Sequence, residues 1–149
     1  DNLARIDFQD YLKSLVSHLR TSLGSPHIRC TTEAQGVILP LDLAVPCGMI
    51  VNELVTNAMK HAFPHKQPAP GRDDCRIQVS LFQEQGICTL CVADNGVGLP
   101  PDFDWVRTKT LGMLLVRMLG RHQLGGTFVL DQQEGCSLTL TFNEQRGTS

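Results

Sequence analysis

Two runs of alternating residues sit so close together that most α/β architectures are excluded. Ile77, Val79 and Leu81 alternate with Arg76, Gln78 and Ser80, the period-two pattern of a strand with one buried face. Glu84-Gln85-Gly86 is a hairpin turn candidate. Ile87 to Ala93 then runs almost wholly apolar, which predicts a central strand covered on both faces. A doubly wound parallel sheet needs a crossover between every pair of strands, and no crossover fits here. A second close pair ends the chain. Phe128 and Leu130 alternate, and Leu138, Leu140 and Phe142 alternate with Ser137, Thr139 and Thr141, joined through Gln132 to Gly135.

Helical periodicity supplies the other layer. Phe8, Tyr11, Leu12, Leu15, Val16, Leu19 and Leu23 recur at three- and four-residue steps, ending at Gly24 with Pro26 beyond. Leu41 to Ala62 is a second helix, with Asp42 as its predicted N-cap and Pro46 close to the first turn, where a missing N–H costs little. Leu111, Leu114, Leu115, Met118 and Leu119 form a third, stopped by Gly125-Gly126. His27 to Thr32 reads as a short strand, and the proline-rich stretch from Pro64 to Asp74 as a loop. The order is helix, strand, helix, two strands, helix, two strands. It predicts a two-layer α/β sandwich: a mixed, mostly antiparallel sheet with helices on one face.

The 149 residues suit one domain, 1–149, and a chain of that length can bury roughly 70% of its unfolded surface. With 42% hydrophobic and 19% charged residues the chain is of globular type. A net charge of −2 excludes a basic nucleic-acid binder, so no nucleic-acid partner is expected. No run of about 18 apolar residues is present. The chain starts at Asp1 without Met or a visible signal peptide, and it reads as a cytoplasmic domain excised from a longer parent whose membrane anchoring stays open. Of Cys30, Cys47, Cys75, Cys88, Cys91 and Cys136, only Cys88 and Cys91 are spaced as a C-x-x-C pair. On a strand, positions three apart point to opposite faces, so these are expected to be reduced thiols rather than metal ligands.

Three polar elements interrupt this pattern. On the second helix, Glu53, Asn57, Lys60 and His61 fall at i, i+4, i+7 and i+8, a stripe shared by a carboxylate, an amide and a cation. It is either solvated surface or a site holding a cation and an anionic ligand together, since an amide oxygen is a hard ligand suited to Mg²⁺ and lysine suits phosphate. Asp94-Asn95-Gly96-Val97-Gly98 follows the most apolar strand; it is a plain turn, or it opens a binding loop running to Thr110. Thr110-Leu111-Gly112-Met113 opens the third helix, where free N–H groups suit phosphate and where Thr110 alone would make an ordinary cap. Neither G-x-x-x-x-G-K-[ST] nor G-x-G-x-x-G is present.

Taken together, in this order and spacing, the three elements resemble the N, G1 and G2 boxes of the GHKL ATPases, which have the Bergerat ATP-binding fold. Ile50 to Pro64, Tyr11-Leu12 and Leu111 to Val116 are similar to the HisKA-2 branch of two-component sensor histidine kinases, over residues 3–143. The related HWE branch has a Trp-x-Glu sequence near Val92-Ala93-Asp94, absent here. The resemblance implies ATP and Mg²⁺ as cofactors. Asn57 would bind Mg²⁺ and the triphosphate, Glu53 would assist a phosphoacceptor histidine, and Lys60 and His61 would meet phosphates. Asp94 would accept from the adenine amino group, Gly96 and Gly98 would let a lid over Gly96 to Lys109 fold down, and Gly112 with its neighbours Thr110, Leu111 and Met113 would meet the β- or γ-phosphate. Phe103 and Trp105 are the only candidates for an aromatic lid motif.

One departure is Cys136, where the family carries a Thr that helps hold the adenine pocket; a thiol bonds more weakly and implies modestly lower affinity. His18, His27, His61, His65 and His122 lie outside the family's phosphoacceptor motif. The resemblance therefore implies an upstream histidine-containing dimerisation domain, a homodimeric parent and a response regulator receiver domain as partners. Rival readings are an anti-sigma-type serine kinase or switch on the same fold, and a degenerate nucleotide-binding module.

Overall fold

A computed structural model describes residues 4–99 and 110–145. Its elements run β1 (Arg5–Asp7), α1 (Phe8–Ser22), β2 (Ile28–Glu33), β3 (Ile38–Pro40), α2 (Leu41–His61), β4 (Cys75–Glu84), β5 (Ile87–Asp94), α3 (Leu111–Arg117), β6 (Thr127–Asp131) and β7 (Cys136–Asn143). Five strands form one sheet in the order β2-β4-β5-β7-β6. β2 runs parallel to β4 across the α2 crossover, and the other pairs are antiparallel. Ile77, Val79, Leu81, Leu90, Val92, Leu138 and Leu140 turn inward and are buried, whereas Arg76, Phe82, Val129 and Thr141 on the opposite face are exposed. This is the expected mixed, mostly antiparallel sheet with a helical layer on one side.

The central strand corrects one expectation. In β5, Cys88, Leu90 and Val92 are buried, but Thr89, Cys91 and Ala93 are only partly covered and Ile87 is exposed. The run looked apolar because small residues and thiols occupy the open face. There Thr139 donates to the Cys91 sulfur at 3.5 Å, so no second layer of helices is needed to satisfy it. Cys88 and Cys91 do face opposite ways, and all six cysteines are free.

The two helix starts differ. Asp7 caps α1, accepting from the Gln9 and Asp10 N–H groups at 3.1 and 3.4 Å, and Gly24 with φ +61° closes it as expected. Asp42 does not cap α2. Pro40 holds that position with no side-chain bond, and the Leu41 N–H donates instead to the Ala4 carbonyl at 3.1 Å. The reason is tertiary: β1 pairs antiparallel with β3 and brings Ala4 to the helix end. Those strands are three residues each, too short for a period-two signal. Pro46 lies in the second turn rather than the first, so it removes the N–H that would have met the carbonyl of exposed Asp42.

The third helix keeps α geometry only to Arg117 and then widens into a π segment, Met118–Gln123, with Leu124 N–H donating to the Leu119 carbonyl at 2.9 Å. A Cβ at Gly120 would strike the Phe128 ring, so this glycine lets the widened turn lie against β6. No helix among the described residues is long and apolar enough to cross a membrane.

Leu90 is 1% exposed at the centre of the core. Leu90→Ala should lose about 2–5 kcal/mol in urea unfolding. Thr89→Ala, one residue along on the open face, should stay within about 0.5 kcal/mol.

Candidate functional site

Helix α2 is the scaffold of the site. Ile50, Val51 and Val55 bury one face completely. The flank beside it, Glu53, Leu54, Asn57, Ala58, His61 and Ala62, opens onto a cavity of about 720 Å³. That size lies within the roughly 300–1,000 Å³ of small-molecule sites. Val92 and Asp94 at the end of β5, Leu130 of β6, and Cys136 and Leu138 of β7 form its floor; Val97, Gly98, Leu99, Thr110, Gly112 and Met113 form the remaining wall.

The fold thus brings together Glu53, Asn57, His61, Asp94, Gly98, Thr110, Gly112 and Met113 from three separate stretches of sequence. It leaves out Lys60, Gly96 and Leu111. Lys60 and His61 are both exposed, but only His61 lines the cavity. Leu111 is 82% exposed. Gly96 serves the helix instead: a Cβ there would run into the Ala62 carbonyl, which also accepts from the Val97 N–H at 3.0 Å. Phe103, Trp105 and the stretch 100–109 of the expected lid lie outside the described residues.

Asp94 is the charged group on an apolar floor. Burial pushes its pKa up, while hydrogen bonds from the Gly96 N–H (2.8 Å) and from the Cys136 backbone pull the other way. Cys136 stands in register with Asp94 across the β5–β7 ladder, and its thiol is pushed up to about 11, first by burial and then by the neighbouring carboxylate. It is therefore a neutral S–H at pH 7. Gly98 takes φ +79° against the Gly135 carbonyl, a conformation that would strain any side chain.

On the opposite side, Asn57 Nδ2 donates to the Met113 sulfur at 3.6 Å, which leaves the amide oxygen available. Thr110 Oγ1 caps α3 by accepting from the Met113 N–H at 3.4 Å. Glu53 is half-buried against Gly112.

Sequence reasoning missed Asn95. Its Oδ1 accepts from the Arg76 N–H at 2.7 Å, and its Nδ2 donates to the Asp74 carbonyl at 3.0 Å, tying the start of β4 to the loop behind Asp94. The signal was its place between Asp94 and Gly96, where an Asx side chain readily bonds backbone. Ala58 and Ala62 belong to the buried core, Leu54 packs against it, and all three also line the cavity.

An apolar slot with one carboxylate at its floor, and an amide, a second carboxylate and an imidazole along one side, suits a planar heterocycle bearing an amine and a polyanionic tail. Residues 44–146 match the family of histidine kinase-, DNA gyrase B- and HSP90-like ATPases. The chain belongs to that family. This ATPase domain is 32% identical over 109 residues to blue-light-activated histidine kinase 2 of Erythrobacter litoralis, covering 73% of this chain and 30% of that protein. It is 32% identical over 90 residues to the sensor histidine kinase PdtaS of Mycobacterium tuberculosis, 60% of this chain and 17% of that one. The solved histidine kinase domain of an Erythrobacter litoralis blue-light-activated histidine kinase superposes with a TM-score of 0.81 at 26% identity, covering 95% of this chain and 63% of that one. The ATPase domain is thus of the catalytic ATP-binding type found in sensor histidine kinases, and it spans less than a third of the length of these curated relatives.

An Asp whose pKa is raised on folding makes the native state bind more protons than the unfolded chain between the unfolded and folded values. Stability contributed by this group therefore falls as pH rises through that window, and the cost of the buried charge is fully present above the folded value. Asp94→Asn removes the charge and keeps an acceptor for the Gly96 N–H. Thermal melting without nucleotide should find it at least as stable as the parent at pH 7, with the gain shrinking as pH falls.

Proposed function

We propose that this domain supplies Mg-ATP for phosphorylation of a histidine on an upstream dimerisation domain, in a HisKA-2-type sensor histidine kinase that passes the phosphoryl group to a response regulator receiver domain. Within that reading residues 1–149 form one ATP-binding domain of a cytoplasmic kinase portion whose parent is a homodimer. The observation that supports it is that Asp94 lines the same cavity as Glu53 and Asn57, which share one flank of α2.

Adenine fits the apolar floor. Its exocyclic amine meets an acceptor in the ionised Asp94, with Val92, Leu138, Leu130 and Ala58 for its faces. The triphosphate then extends toward Asn57, His61 and the first turn of α3. Among the described residues no three His, Cys, Asp or Glu side chains converge on one point. A cation here would take most of its ligands from phosphate and water, with Asn57 contributing its free amide oxygen, which fits Mg²⁺. Bound there, Mg²⁺ would neutralise phosphate charge during transfer. Glu53 sits where an incoming imidazole could give up a proton or be held by a hydrogen bond, and positioning supplies most of the catalysis. Lys60, turned to solvent, reads as a contact for the phosphate tail only when a ligand draws it over.

The variants should separate these roles. Asn57→Ala should weaken ATP binding in calorimetry and transfer of radiolabel from γ-labelled ATP together. Glu53→Ala should leave binding near the parental value and cut transfer. The 149-residue chain alone should not accumulate acid-labile label; label on it would return attention to its own histidines. Adenine recognition needs the carboxylate ionised, so ATP affinity should fall with pH from above the usual carboxylate range, and Asp94→Asn should lose both that dependence and the preference for ATP over GTP.

A further inference from the structure

The geometry points to Gly112 as a positioning residue for Glu53: the missing side chain at 112 is the space in which the Glu53 carboxylate stands. This rests on the reading of Glu53 given above. Glycine at the start of a helix before a ligand site is ordinarily explained by close approach of the ligand to the backbone. Here the space is already taken. A Cβ built on Gly112 would collide with Oε2 and the carboxyl carbon of Glu53, and it would stand 3.0 Å from Oε1.

The neighbours make the seat firm. Thr110 caps the turn through the Met113 N–H, and the Leu114 N–H donates to the Thr110 carbonyl at 3.0 Å. Met113 is tied to Asn57, one turn along α2 from Glu53. The first turn of α3 is thereby locked against the polar flank of α2, and it cannot retreat from an added methyl without breaking these bonds. Glu53 has no hydrogen bond or ion pair among the described residues to resist displacement. An alanine at 112 is therefore accommodated by rotating the carboxylate away, while the helix itself gains, alanine being the better helix former.

The test is Gly112→Ala, with Glu53→Asp as the compensating change, since aspartate withdraws the carboxylate by one methylene. In the full kinase, Gly112→Ala should lower the transfer rate on the order of 10- to 100-fold, by a clearly larger factor than it weakens ATP binding in calorimetry. The double variant Gly112→Ala with Glu53→Asp should transfer as fast as Glu53→Asp alone, because the methyl then meets nothing. If affinity falls in proportion to transfer, or if the methyl costs the Glu53→Asp protein as much as it costs the parent, the glycine serves the nucleotide and the inference is wrong. Carboxyl NMR of the 149-residue chain tests the seat apart from catalysis. The Glu53 carboxyl resonance should move in Gly112→Ala, and an unmoved resonance overturns the inference even where Glu53→Ala abolishes transfer. Glu53→Ala transferring at the parental rate would refute the role of Glu53 while leaving that NMR result to decide the seat.

Discussion

Helix α2 is pressed into the sheet by Ile50, Val51 and Val55, each fully buried, and its other features follow from that orientation. With one face committed to the core, the flank that carries Glu53, Asn57 and His61 has one direction to look, across the ends of β5 and β7. A one-residue slip of the helix would rotate the stripe by about 100° and carry Glu53 and Asn57 off the cavity. The apolar packing therefore sets the polar geometry.

At Asp94 the fold carries an electrostatic cost. A carboxylate at the close of a buried strand is costly in the empty protein, and the fold only partly offsets this with the Gly96 and Cys136 backbone donors. In the proposed reading, the amine of a bound nucleotide would complete the set. Asn95 braces the same turn from behind through Arg76 and Asp74, and Gly96 seats it on the last turn of α2. The floor carboxylate is thus held by both layers of the sandwich.

The third wall is the slightest. α3 is seven residues long and passes into a π segment, so its position comes from contacts more than from its own hydrogen bonding. Gly112 at its start admits Glu53, and Gly120 in the π segment admits Phe128. Two absences of a side chain, at the two ends, let one short element lie against both α2 and β6.

The period of the apolar residues determined the strand pairs, the three helices and the sandwich, because a buried face must repeat at 2 or 3.6 residues whatever it packs against. The three polar elements were legible as well, since Glu53, Asn57, Asp94 and Gly98 break that pattern at places where a bland surface or turn needs no such combination. Periodicity says which residues face inward and is silent on what they meet. Hence the open face of β5 looked covered, and Asp42 looked like a cap that Ala4 in fact replaces through the β1–β3 pair. Only the tertiary structure decided that His61 and not Lys60 faces the cavity, and that the space at Gly112 belongs to Glu53, because contacts between residues 59 positions apart are set by how elements dock and not by any local preference.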